Sequence, residues 1–323
     1  IKKFLNDLMK EYEIITPVRN DGKIEFRIIK NLDEIELKFS NSIVPPKEFF
    51  LPEKETILEF MDDDKPVLKE NGPDDRKRVI FGIRPCDLNA ILLLDLVNSD
   101  TIKNPRYFKR RENTMVFSLD CNKPCENSFC FSIGTGPHAT EGADVRITEI
   151  GNSYLLEPLS KRGKDVLKGY KLRDSSGDDL KTRDRIVDRF PRKGGVDVNK
   201  ISNKMDKIFD SDFWNKESER CIECFLCTFL CPTCYCFDMT DKKYPFQRSG
   251  ERVIFRDSCM SPKFTRLAGG ENPRAGKRER LRNRFYHKLK YFNDRYGRLG
   301  CTGCGRCITL CPVNIDIREL IFE

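Results

Sequence analysis

The chain has 323 residues, 34% of them charged, with a formal net charge of +8 and a mean hydropathy of −0.56. That is long enough for two domains, and no apolar run approaches the roughly 20 residues of a membrane helix, so no membrane partner is expected. The 59 basic residues are interspersed with 51 acidic ones, which argues against nucleic acid, and two histidines, His138 and His287, leave little room for histidine acid-base chemistry. What stands out is 15 cysteines. No apolar signal-peptide run precedes them, and closely spaced cysteines make poor disulfide frameworks, so they point to metal chemistry in a reducing, anaerobic cytoplasm. The chain opens on Ile1, and a few residues are expected ahead of it.

Residues 1–170 read as a mixed α/β domain. Arg78 to Ile83 is a β-rich apolar stretch; Pro85 breaks it, and Asp87 is placed to cap a helix over 88–97, leaving Cys86 at the exposed carboxyl end of a strand. Thr114 to Leu119 repeats the strand pattern and delivers Asp120 and Cys121 into a loop that also carries Cys125 and Cys130. Gly134-Thr135-Gly136-Pro137 follows, without the third glycine and helix of a nucleotide fingerprint. Its expected role is backbone wrapping that donates amides to sulfur. Val145 to Ile150 and residues 154–157, joined across Gly151 and Asn152, predict a hairpin.

Residues 171–220 form a charged connector, in which Ile186, Phe190, Ile201, Met205, Ile208 and Phe209 fit short amphipathic helices. Residues 221–323 contain two cysteine runs separated by an insertion with a strand at 252–255 and a long helix at 275–292. On that helix Leu281, Phe285, Leu289 and Phe292 share one face. Lys277, Arg278, Arg282, Lys288 and Lys290 are placed on the other, either as a solvated basic face or as a docking patch for an acidic partner. The resulting class is α+β: a mixed α/β N-terminal domain followed by a mostly helical, two-cluster ferredoxin-like domain.

The two runs share one grammar, C-x-x-C-x-x-C-x-x-x-C-P: Cys221, Cys224, Cys227, Cys231 with Pro232, and Cys301, Cys304, Cys307, Cys311 with Pro312. This is the spacing of bacterial two-cluster ferredoxins, in which the fourth cysteine of each run ligates the other run's cluster. Three thiolates on one tight loop face three corners of a cube, and the x-x-x-C-P step points the fourth away. One 4Fe-4S cluster is therefore assigned to Cys221, Cys224, Cys227 and Cys311, and a second to Cys301, Cys304, Cys307 and Cys231. Structural zinc also uses C-x-x-C pairs, but leaves the third cysteine and the trailing C-P of each run without a role.

Seven cysteines lie outside the runs. Cys86, Cys121, Cys125 and Cys130 supply the four thiolates of a third 4Fe-4S cluster, with Arg84 and Lys123 beside them to offset negative charge. The alternative is a buried cysteine and a loop that binds zinc or nothing. Cys234, Cys236 and Cys259, near Asp238 and Asp257, form a possible further site or pack as small apolar residues beside a cluster. No phosphate loop, nucleophile elbow or H-E-x-x-H occurs, so neither a flavin on this chain nor a substrate site of its own is expected. The rivals are a self-contained flavin-dependent iron-sulfur reductase and a zinc-stabilised nucleic-acid binder.

Several strings occur in one order: Phe81 to Asp87 (FGIRPCD), Gly134 to Pro137, Cys231 to Asp238 (CPTCYCFD), Asp257-Ser258-Cys259, Ala268 to Arg274 (AGGENPR), Arg284 to Lys288 (RFYHK) and Cys311 to Asp316 (CPVNID). Together they resemble the β subunit of cytoplasmic nickel-iron hydrogenases, or sulfhydrogenases, and the similar iron-sulfur subunit of anaerobic sulfite reductases. The resemblance covers nearly the whole chain. It implies an iron-sulfur electron-transfer subunit lying between two partners: one is FAD-containing and handles NAD(P)H, the other is a catalytic nickel-iron or sirohaem subunit. One departure concerns the first-region loop: the family pattern is C-F-C ahead of the Gly-Thr-Gly-Pro turn, whereas here Ser128-Phe129-Cys130 stands, with Cys125 upstream.

Overall fold

Two sheets carry the molecule in the computed structural model, which describes residues 1–61, 67–190 and 196–322. The larger has the order β2-β1-β5-β6-β7-β8, formed by β1 (Glu13–Asn20), β2 (Lys23–Ile29), β5 (Arg78–Ile83), β6 (Thr114–Leu119), β7 (Val145–Ile150) and β8 (Ser153–Pro158). Its centre, β1-β5-β6-β7, is parallel, and β2 and β8 close its edges antiparallel. Every residue of β5 and β6 is buried, which is why both read as unbroken apolar runs: a parallel sheet is covered on both faces. One face packs Phe4, Val79, Phe81 and Phe117; the other packs Ile80, Val116, Leu88 and Ile91 from the following helix. Adjacent parallel strands end side by side, so the carboxyl ends of β5 and β6 present Cys86 and Cys121 to the same crevice, the usual position of a site in such sheets.

The helix after β5 differs from the sequence expectation. Pro85 does not break the chain but opens the helix Pro85–Ser99, with Arg84 at the N-cap, because a proline in the first turn loses no needed N–H. Asp87 therefore lies inside the first turn instead of capping it, and Cys86 is buried in that turn instead of exposed at a strand end.

The second sheet, β4-β3-β10-β9, joins β3 (Lys54–Met61) and β4 (Val67–Glu70) to β9 (Phe237–Lys243) and β10 (Ser249–Arg256). The expected strand of the insertion is thus half of a hairpin that pairs with the N-terminal region along β3. The division at 220/221 marks a change of sequence character, not a gap in space. In the connector, the helices Val198–Lys207 and Phe213–Arg220 bring Ile201, Met205 and Trp214 onto Leu281, Phe285 and Leu289. Residues 191–195 lie outside the described residues.

The long insertion helix runs over Lys277–Tyr286, widens into a π turn at His287–Tyr291 and continues over Phe292–Tyr296. Its basic side is neither a solvated face nor an open docking patch. Lys290 pairs with Asp206 and Asp294, Arg282 stacks on Phe209 at 3.8 Å, and Lys277 donates to the Cys221 carbonyl at 3.1 Å. Lys288 is fully enclosed: it stands seven residues after Leu281 and three after Phe285, which is the spacing of the apolar face itself.

Candidate metal centres

The two cysteine runs fold alike. Each passes through two left-handed residues at matching positions, Glu223 and Phe225 in the first and Gly303 and Gly305 in the second. Each then enters a short helix, Leu226–Phe229 or Arg306–Thr309. The left-handed turns roll the backbone inward, so N–H groups face sulfur: Gly303 donates to Cys301 Sγ at 3.4 Å and Ile315 to Cys311 Sγ at 3.3 Å.

Cys221, Cys224, Cys227, Cys307 and Cys311 line one small cavity, closed by Met260, Leu281, Phe285 and Ile315. The cavity gathers the quartet that the fourth-cysteine crossover assigns to one cluster together with Cys307 of the other run. Cys301, Cys304 and Cys307 lie within one another's fields and that of Cys231. Burial pushes the Cys304 thiol up to about 12, with Arg306 opposing it. Thiols in such a setting stay neutral unless a bound cation takes the proton's place.

Cys86, Cys121, Cys125 and Cys130 line a second cavity, together with Arg84, Gly136 and Cys304. Burial raises all four thiols, Cys121 to about 12. The loop carrying them is pinned to the second run. Phe129 N–H donates to the Gly303 carbonyl at 2.8 Å, Thr135 Oγ1 to that of Thr302 at 2.7 Å, and Asn41 Nδ2 to that of Cys304 at 3.1 Å. A Cβ on Gly303 would come within 2.6 Å of Cys130 N, and one on Gly305 within 2.8 Å of the Asn127 carbonyl. The second run uses glycine at its left-handed positions because this loop lies against it, and at these positions the first run holds Glu223 and Phe225. Deeper in the contact, Asp87 and Arg306 form a bidentate pair at 2.5 and 2.7 Å, 0% and 3% exposed, and Arg306 also donates to Ser42. The Gly134-to-Pro137 turn wraps Cys130: Thr135 N–H donates to its carbonyl at 2.9 Å, and the Gly136-Pro137 peptide is cis.

Cys234 lies beside the Cys231 thiol and Cys259 beside Cys236, whose thiol is lowered to about 6 by that neighbour. Asp238 and Asp257 turn to the N–H groups of Met239 and Ser258. Among the described residues no three His, Cys, Asp or Glu side chains are gathered to hold a single metal ion, as zinc with thiolates at about 2.3 Å would require. Two of the quartets are disposed around cavities instead.

Residues 220–315 match the family model of a 4Fe-4S dicluster domain. Over 99% of its length the chain is 31% identical to subunit beta of sulfhydrogenase 2 from Pyrococcus furiosus, covering 95% of that protein. The chain belongs to the sulfhydrogenase β-subunit family. No solved structure matches it.

What sequence reasoning missed in this β-subunit homologue is a set of buried cations around the thiols. Arg284 donates to the Cys227 carbonyl at 3.0 Å, and its Nε has no partner. Burial works against its charge, but Cys227, Cys307, Cys234 and Cys231 outweigh it and hold the guanidinium well above its ordinary value. Lys288 donates to Thr233 Oγ1 at 2.8 Å, and Lys47 to the carbonyls of Cys231 and Cys234 at 2.5 and 2.7 Å. Arg84, noted from its place beside Cys86, donates to the Asp120 carbonyl at 2.8 Å and to that of Phe39, and lowers the neighbouring Cys121 and Cys125 against the rise caused by burial. Lys47 carries no sequence signal, since it meets Cys231 across 184 residues.

Proposed function

We propose that the chain relays single electrons through three 4Fe-4S clusters. Cys221, Cys224, Cys227 and Cys311 would hold one, Cys301, Cys304, Cys307 and Cys231 the second, and Cys86, Cys121, Cys125 and Cys130 the third. When bound, such clusters accept and release one electron at a time without taking a substrate. The observation that carries this reading is contiguity. Cys304 lines the first-region cavity and Cys307 borders the cavity of Cys221, Cys224, Cys227 and Cys311, so the middle quartet touches both neighbours. The residues fit the groups: small cavities at two of the quartets, thiols such as Cys121 and Cys304 pushed up by burial, and the buried cations Arg284, Lys47 and Lys288 beside them without a carboxylate partner among the described residues. Cys234, Cys236 and Cys259 form a layer behind the middle quartet.

In the complex this relay joins an FAD-containing, NAD(P)H-handling subunit to a catalytic nickel-iron subunit, or to a sirohaem subunit if the sulfite reductase likeness prevails. The chain itself carries no flavin and works in the cytoplasm. Cys307→Ser tests the reading: it should damage the middle cluster and cut physiological electron transfer, while the partners' reactions with artificial dyes persist. Unchanged physiological turnover in that variant defeats the relay assignment. A flavin spectrum from the isolated chain would favour the self-contained reductase.

A further inference from the structure

Lys47 and Lys288 approach the middle quartet from two different parts of the fold. Lys47 sits in the 3-10 turn Pro46–Phe49 of the first region; Lys288 sits in the π turn His287–Tyr291. Each is 2% exposed. A buried ammonium group ordinarily has a carboxylate partner, because leaving its charge uncompensated in a dry interior is costly. Among the described residues neither lysine has one. Lys47 meets only the carbonyls of Cys231 and Cys234, and Lys288 meets Thr233 Oγ1, which lies 3.2 Å from Cys231 Sγ and donates to the Gly300 carbonyl at 2.7 Å. The acidic groups in reach of both are the Cys231 and Cys234 thiols, which hold Lys288 above its ordinary value, whereas burial brings Lys47 down to about 8. π turns recur at functional sites.

Resting on the cluster assignment above, we propose that Lys47 and Lys288 are positioning residues that raise the reduction potential of the centre held by Cys231, Cys301, Cys304 and Cys307. Reduction adds one electron to that centre, taken from a neighbouring cluster, with no bond made or broken. The added negative charge is stabilised by two cations that cannot be screened by water. Neither lysine belongs to a ferredoxin run, so the tuning comes from outside the ligand loops. Lys47 makes it depend on the first region being docked on the second.

The test is an EPR-monitored redox titration of the full chain, purified without oxygen, as wild type, Lys47→Met, Lys288→Met and the double variant. The signal of the middle centre is identified as the one altered by Cys231→Ser. The expected result is a midpoint shifted to more negative potential in each single variant and further in the double, at wild-type iron content, with Lys288→Arg returning it toward wild type. An unmoved midpoint in clustered variants overturns the proposal. Loss of iron in a methionine variant assigns that lysine a structural role and overturns the proposal for it. If the wild type lacks any signal sensitive to Cys231→Ser, the cluster assignment falls, and the tuning falls with it.

Discussion

Asp87→Ala removes the anion of an ion pair buried between the first region and the second cysteine run. Asp87 is 0% exposed and Arg306 3%, and the two charge-assisted bonds are 2.5 and 2.7 Å. The variant keeps the Arg306 bonds to the Ser42 carbonyl and hydroxyl at 2.8 and 2.9 Å, so the guanidinium remains hydrogen-bonded but uncompensated. Breaking a buried pair in this way costs about 3–5 kcal/mol. Replacing both partners by apolar residues, Asp87→Leu with Arg306→Met, removes two desolvated charges and should recover most of that loss. The assay is urea unfolding of the iron-loaded protein, followed by cluster absorbance near 400 nm and by far-ultraviolet circular dichroism, with the two signals compared because a multi-cluster protein need not unfold in one step. The first-region signal should bleach earlier in Asp87→Ala. A single variant within about 1 kcal/mol of wild type, or a double variant less stable than the single, would refute the reasoning.

Gly303→Ala should separate the first-region loop from the second run, because φ is +60° there and the new methyl would meet Cys130 N at 2.6 Å. The expected outcome is loss of at least about 1–2 kcal/mol of stability from the left-handed backbone alone and a fall of about four irons per chain, measured by unfolding and iron assay; full iron content contradicts it. Cys236→Ser with Cys259→Ser should leave iron and EPR unchanged, since these thiols pair with each other; a drop of about four irons would make them ligands. Arg284→Met removes a cation shared by Cys227 and Cys307, and both ferredoxin signals should move to more negative potential in a redox titration, whereas an unchanged pair would remove Arg284 from the tuning set.

The bounds of β5 and β6 are legible in sequence because a doubly covered parallel strand is a short apolar run, and those of β7 because it is one arm of a hairpin turned at Gly151 and Asn152. The ligand quartets are legible because cubane chemistry fixes thiolate spacing within a loop. The grouping of Cys86 with Cys121, Cys125 and Cys130 is legible at one remove, since strand ends in a parallel sheet meet. The environment of the thiols is not legible. Asp87 looks like a helix cap because Pro85 suggests a break, and only the buried Arg306, 219 residues away, explains it. Lys288 looks like one of several surface cations until its spacing from Leu281 and Phe285 is counted, and Lys47 is tied to Cys231 by tertiary contact alone. Sequence carries the proposed ligands because they are local; the buried cations beside them arrive from elsewhere in the fold.

The central claim is that three cysteine quartets hold three cubanes. Iron, zinc and acid-labile sulfide in the full chain, purified without oxygen, with Mössbauer spectroscopy of the iron, test it most directly. The account predicts about twelve irons and as many sulfides per chain, all in 4Fe-4S form, and no stoichiometric zinc. About eight irons would remove the first-region cluster, and zinc with little iron would contradict the account as a whole.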